Sequence, residues 1–176
     1  GFVARRVAQL LDKPSSHTNL ILLHLGNGAS ACAVQRGHSI DTSMGLSPVE
    51  GLVMGTRSGD VDPSLGPYLS RVAGLSPARF EDDLNHASGL LALSGTPDMK
   101  ELEQHRHRGD ADAWLAFEVT AYRLRKYIGA YAAALGTVDA VAFSGGIGEH
   151  SPALRAAVLD DLAILGMKLD AAANRA

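Results

Sequence analysis

The chain has 176 residues, 46% of them hydrophobic and 20% charged, with a formal net charge of -3 at pH 7. This is enough length and apolar content for one domain with its own core, and the lack of a basic excess argues against a nucleic-acid partner. Cys32 is the single cysteine, which excludes an internal disulfide framework or a Cys-based zinc site and fits a reducing, cytoplasmic setting, and no apolar run approaches the roughly 20 residues of a membrane span.

Aromatics make up only 5% of the chain while glycine and alanine are plentiful. A core of small and branched aliphatic side chains between closely spaced elements follows, which suits α/β layering. Val3, Val7, Leu10 and Leu11 recur at helical spacing until Lys13-Pro14 stops them. Leu20 to Leu25 is a nearly unbroken aliphatic run and predicts a buried strand. The turn Gly26-Asn27-Gly28 leads into Ser30 to Gln35, completing a hairpin, and Arg36-Gly37 turns the chain into a third strand over His38 to Thr42.

Ser47-Pro48-Val49-Glu50 has the form of a capping box with proline at the first helical position, so a short helix is expected there. Asp62-Pro63 and Ser76-Pro77 repeat the device, and Gly74 is placed to close the helix that carries Leu65, Leu69 and Val72. Phe117, Ala121, Leu124, Ile128, Tyr131 and Leu135 sustain a 3.6-residue stripe that predicts one long amphipathic helix from Asp112 to Leu135. Val138 to Phe143 reads as another buried strand, followed by a glycine turn, Ser144 to Glu149. A helix then starts with Ser151 as N-cap and Pro152, faces Leu154, Val158, Leu162 and Leu165 inward, and closes at Gly166.

Two glycine turns, Gly26-Asn27-Gly28 and Gly145-Gly146-Ile147-Gly148, therefore each follow a buried strand. Backbone N–H groups at such a place can point at an anion, and glycine leaves no Cβ in the way. Each turn alone also fits a plainer reading, an Asn-Gly hairpin or a tight strand-to-helix connection. Neither carries the Lys-Ser or Lys-Thr of a Walker A loop. Gly146-x-Gly148-x-x-Ser151, with Asp170 downstream, matches a dinucleotide fingerprint only in part, because serine replaces the third glycine and Pro152 sits just inside the phosphate-facing turn.

Arg57 lies in the small-residue loop Met54-Gly55-Thr56-Arg57-Ser58-Gly59-Asp60. Its planar guanidinium suits a transferring phosphoryl group, while pairing with Asp60 or Asp62 at the surface is the competing reading. Asp62 itself reads as a helix cap. His24 stands at the mouth of the sheet, available to a phosphate or to a core partner. His105 and His107, with Asp110 and Asp112, match no metal-ligand spacing and read as a solvated helix end, as do Asp82 and Asp83.

Four segments taken together, His24-Leu25-Gly26-Asn27-Gly28-Ala29-Ser30, Asp41-Thr42-Ser43-Met44-Gly45, Met54-Gly55-Thr56-Arg57-Ser58-Gly59 and Ser144-Gly145-Gly146-Ile147-Gly148-Glu149, closely resemble the acetate kinase family. The resemblance runs over essentially the whole chain. It implies an α/β fold of the ribonuclease-H-like type shared with sugar kinases, heat-shock ATPases and actin, a mixed sheet flanked by helices. Residues 1–176 would be most of the second, nucleotide-binding domain, with a first domain before Gly1 and a short C-terminal piece after Ala176.

By the same resemblance, His24, Leu25, Gly26, Asn27 and Gly28 contact ATP phosphates, Gly146, Ile147, Gly148, Glu149 and His150 form a second nucleotide-binding stretch, and Arg57 is catalytic. A third contact, typically Asp-x-Arg, falls on Asp98, Met99 and Lys100, where lysine replaces arginine, and His150 stands where asparagine is usual. The implied reaction is reversible phosphoryl transfer between ATP and acetate, giving ADP and acetyl phosphate. A propionate or butyrate kinase and a non-catalytic nucleotide-binding fragment are the alternatives. Magnesium is the implied cofactor, with its ligands and the carboxylate pocket outside this chain, and the implied assembly is a homodimer.

Overall fold

A computed structural model describes residues 1–160 and 162–175. Four strands, β1 (Asn19–Leu25), β2 (Ala29–Gln35), β3 (His38–Thr42) and β4 (Ala140–Ser144), form one sheet in the order β3-β2-β1-β4. The first three make an antiparallel meander and β4 joins β1 in parallel, with His24 opposite Ser144. This is the mixed sheet that the resemblance implies.

The two sheet faces are covered unequally, and the sequence of β1 shows why. Ile21, Leu23 and Leu25 point to one side, where Ala29, Ala31 and Ala33 of β2 continue a flat, small-residue surface. Against it lies α6 (Ala111–Leu135), whose stripe Phe117, Ala121, Leu124, Ile128, Tyr131 and Leu135 is buried as its spacing predicts. Alanine on the strands lets the long helix approach closely, and each large aliphatic or aromatic side chain buried there contributes about 1.5–3 kcal/mol. On the other face Leu20 and Val34 meet Ala4 of α1 (Phe2–Leu10) in a smaller cluster, with Val7 packed against it. A carboxylate joins sheet and N-terminal segment: Asp139 pairs with Lys13 Nζ at 2.6 Å and accepts the Asn19 N–H at 2.8 Å, which hold its pKa below the usual value.

Between β3 and α6 the chain forms α2 (Leu65–Ala73), α3 (Pro77–His86), α4 (Gly89–Ser94) and α5 (Met99–His107). Ser76 caps α3 by accepting the Arg79 N–H at 3.2 Å, and Gly74, in the left-handed region at φ 67°, closes α2 as expected. Asp62 does not cap α2 directly. It accepts from the Ser64 N–H and hydroxyl at 2.8 and 2.6 Å, and Ser64 takes the cap position before Leu65. Asp110 caps α6 through the N–H groups of Asp112 and Ala113, so it belongs to the helix start.

Three further sequence expectations fail. The capping box at Ser47 starts no helix: the Ser47 hydroxyl receives the Val49 N–H at 3.4 Å, and the Glu50 carboxylate lies against Gly45 instead of reaching back. Gly51, at φ 105°, turns the chain after too few residues to complete a helical turn. The second glycine turn is not an open loop but a short helix, α7 (Gly145–His150). Finally, α8 (Pro152–Leu159) is capped by Ser151 as predicted, yet stops at Leu159. Leu165 is exposed, and Gly166 closes a separate 3₁₀ turn, Ala163–Leu165.

Candidate active site

Because β1 and β4 run in parallel, the loop after one and α7 after the other emerge at the same end of the sheet. They frame a cleft of about 770 Å³, a volume typical of small-molecule sites. Its walls come from Gly26 and Asn27, from Pro97, Asp98, Met99, Lys100 and Glu103 at the start of α5, and from Gly146, Ile147, His150 and Ser151. Residues from three predicted segments, more than 40 positions apart in sequence, thus line one groove. A Cβ on Gly146 would meet nothing within 4 Å, so this glycine keeps the wall open.

The remaining predicted contacts stand beside the groove. Leu25 is buried in the core and, with Met99 and Ile147, surrounds a small apolar void of about 20 Å³ beneath the cleft floor. Gly148 is buried against Phe143 and Leu25, and Glu149 is exposed. His24 is exposed at the strand end, with Nδ1 3.2 Å from the Ser144 hydroxyl, so it does not enter the core. Asp98 is committed to α5: its Oδ1 accepts the N–H groups of Lys100 and Glu101 at 2.8 and 3.1 Å. Lys100 is exposed at the cleft wall.

The first glycine turn is not a left-handed Asn-Gly hairpin, since neither Asn27 nor its flanking glycines has positive φ. The glycines serve close approach instead. Arg57 Nη1 lies 3.1 Å from the point a Cβ of Gly28 would occupy, and Asn27 Oδ1 occupies the space of a Cβ on Gly55. The Asn27 carbonyl accepts the Gly55 N–H at 3.1 Å. The turn is thereby fastened to the loop that carries Arg57.

Arg57 makes no ion pair among the described residues; its Nη1 rests near Met54 Sδ at 3.7 Å. The surface-pair reading fails because both candidate acids are taken. Asp62 serves Ser64. Asp60 pairs with Arg123 of α6 and accepts the Tyr127 hydroxyl at 2.9 Å and the Gly51 N–H at 2.9 Å. Burial first, and then the bond to Asp60, push the Tyr127 phenol up to about 12.

The dinucleotide reading fails as well. Asp170 uses its carboxylate on the N–H groups of Ala172 and Ala173 in a C-terminal turn. Arg155 donates to the carbonyls of Gly148 and Glu149, closing the end of α7, and also binds Asn174. Among the described residues no three His, Cys, Asp or Glu side chains gather as a metal site. No described helix is long and apolar enough to cross a membrane.

Sequence reasoning missed Glu103 as a cleft residue. It lies three positions after Lys100, hence on the same helix face, and it accepts the Ser151 hydroxyl, joining α5 to the cap of α8 across the cleft floor. The Asp60–Arg123 pair had no signal at all in the local sequence.

The fold and cleft define a class: an α/β domain that presents glycine-lined strand ends and an arginine-bearing loop beside a ligand-sized groove. Residues 1–176 match the sequence model of the Acetokinase family. The chain is 55% identical over 169 residues to an acetate kinase of Syntrophobacter fumaroxidans, covering 96% of this chain and 41% of that protein, and 53% identical over 175 residues to one of Leifsonia xyli, covering 99% and 44%. Among solved structures, an acetate kinase of Porphyromonas gingivalis superposes with a TM-score of 0.95 at 42% identity, covering 98% of this chain and 43% of that one. A propionate kinase of Francisella tularensis gives 0.94 at 43% identity, covering 98% and 44%. The chain belongs to the Acetokinase family, and it spans less than half the length of these relatives.

Proposed function

We propose that the full-length protein transfers the terminal phosphoryl group of ATP to acetate, reversibly, and that this chain supplies the nucleotide side of the site. The observation that carries the reading is the convergence of Gly26-Asn27, Asp98-Met99-Lys100 and Gly146-Ile147-His150 on one cleft, with the guanidinium of Arg57, which makes no ion pair among the described residues, held beside the Gly26–Gly28 turn. In the transfer a carboxylate oxygen bonds to the γ-phosphorus while the bond to the β–γ bridging oxygen breaks, its electron pair leaving with ADP. Arg57 offers forked N–H donors to the equatorial oxygens where charge spreads. The glycines let phosphate oxygens reach main-chain N–H groups, and His24, at the strand end, is a further donor to them.

Magnesium enters this reading as the ion that accompanies ATP's phosphates, with its protein ligands outside the chain. The carboxylate pocket is assigned to a first domain, the assembly to a homodimer and the setting to the cytoplasm, the last supported by the lone Cys32. The test is kinetic: Arg57→Ala in the full-length protein lowers kcat far more than it weakens ATP binding, and a variant with near-normal kcat overturns the role. The 176-residue chain alone binds ATP weakly and makes no acetyl phosphate. Transfer to acetate by the chain alone would refute that division of labour.

The likeness to a propionate kinase at 43% identity supports a second reading, in which a longer carboxylate is preferred. Comparing kcat/KM for acetate, propionate and butyrate separates the two. ATP binding without transfer to any of them in the full-length protein would point to a non-catalytic module.

A further inference from the structure

Arg57 and Asp60 share one short loop, and three residues of chain reach at most about 11 Å. That is close to the Debye length of about 8 Å at physiological ionic strength, so an uncompensated Asp60 carboxylate would compete with phosphate for Arg57 and repel the phosphoryl group itself. The fold gives this carboxylate a different cation. Asp60 pairs with Arg123, 63 positions away on α6, in contact that leaves the two side chains only 38% and 22% exposed. Arg123 Nη2 also donates to the Gly51 carbonyl at 3.3 Å, while the Gly51 N–H goes to Asp60 Oδ1 and the Asp60 N–H returns to the Gly51 carbonyl at 3.0 Å. Both ends of the loop are stapled to α6, and Arg57 projects from its middle over Gly28.

We propose that Arg123 is a positioning residue for phosphoryl transfer: by neutralising and holding Asp60, it keeps that carboxylate from Arg57 and preserves the positive potential where the transferring group must sit. The proposal rests on the reading of Arg57 given above. It treats the ion pair as an electrostatic device and not only as a structural tie, and the two roles differ in what a second substitution does.

In the full-length protein, Arg123→Gln removes the charge and leaves Asp60 uncompensated. The expected result is a fall in kcat of about 10- to 30-fold with KM for ATP changed by less than about 3-fold. Adding Asp60→Asn, which keeps an oxygen acceptor for the Gly51 N–H and carries no charge, should restore kcat to within about 3-fold of the unmodified protein. A double variant no better than Arg123→Gln, or a single variant with unchanged kcat, overturns the proposal. Should Arg123→Gln fail to fold, Arg123→Lys takes its place: retention of kcat within about 3-fold supports the role of charge, and a loss as large as that of Arg57→Ala overturns it. Arg57→Ala measured alongside keeps the failures apart, since normal kcat there sinks the reading of Arg57 itself.

Discussion

Arg57 Nη1 stands 3.1 Å from the position a Cβ on Gly28 would take. A methyl group there is tighter than ordinary van der Waals contact, and the neighbour that can yield is the flexible end of the arginine. Gly28→Ala should therefore displace the guanidinium while leaving the fold intact. We expect kcat in the full-length protein to fall about 10-fold or more, because small misplacement of a catalytic group is costly, with a melting shift under about 3 °C. An unchanged kcat would show that the contact does not position Arg57.

Arg57 itself should show a charge-and-geometry split. Losing one preorganised donor to a developing anion costs on the order of 100- to 1,000-fold in kcat, which is the expected effect of Arg57→Ala. Arg57→Lys keeps the charge without the fork and should recover only a small part. Steady-state kinetics beside ATP binding by calorimetry separates transition-state loss from lost affinity. Equal loss in both would contradict the assignment.

Lys100 lines the cleft as a point charge where the family resemblance has arginine. Lys100→Arg adds a planar group able to stack or bind in two-pronged fashion, so ATP should bind about 3- to 10-fold more tightly. Titration calorimetry on the chain and on the full-length protein reads this directly, and weaker binding would mean the side chain has no room to turn toward the nucleotide.

Asp139 links stability to pH. Its bond from Lys13, and next the Asn19 N–H, hold its pKa below the ordinary carboxylate value, near 3.9 in unfolded chains. A lowered folded pKa means that the unfolded state binds the proton more readily, so the contribution is complete above about pH 4 and disappears as pH falls through the lowered value. Asp139→Asn should lower the melting temperature at pH 7 and make less difference near pH 3. Equal destabilisation at both pH values would show that packing, not charge, is at stake.

Ser151 caps α8, accepting the Leu154 N–H at 3.0 Å while donating to Glu103. Ser151→Ala should cost about 1–2 kcal/mol, read by denaturant titration. It should also weaken ATP binding, because Ser151 and Glu103 line the same cleft. Lost stability with unchanged affinity would separate the cap from the site.

Much of the architecture is written in local pattern. The aliphatic run Leu20 to Leu25 is β1, the stripe from Phe117 to Leu135 is the buried face of α6, and Ser76 and Ser151 cap the helices they precede. These succeed because periodicity and capping act within a few residues. The segment Ser47 to Glu50 carried the same kind of signal and failed, since Gly51 at φ 105° and the pull of Glu50 toward Gly45 outweigh an isolated helical turn.

By itself, the sequence determined the four strands, the long helix α6 and several caps, the family, and the candidate residues Gly26 to Gly28, Arg57, Asp98 to Lys100 and Gly146 to His150. Only the tertiary structure decided that these segments share a cleft, that Gly28 is small to admit Arg57, and that Asp60 answers to Arg123 and not to Arg57. The reason is physical. A cap or an apolar stripe depends on neighbours in the chain, whereas which cation compensates a carboxylate depends on which element the fold lays beside it, and here that element begins more than 50 residues further on.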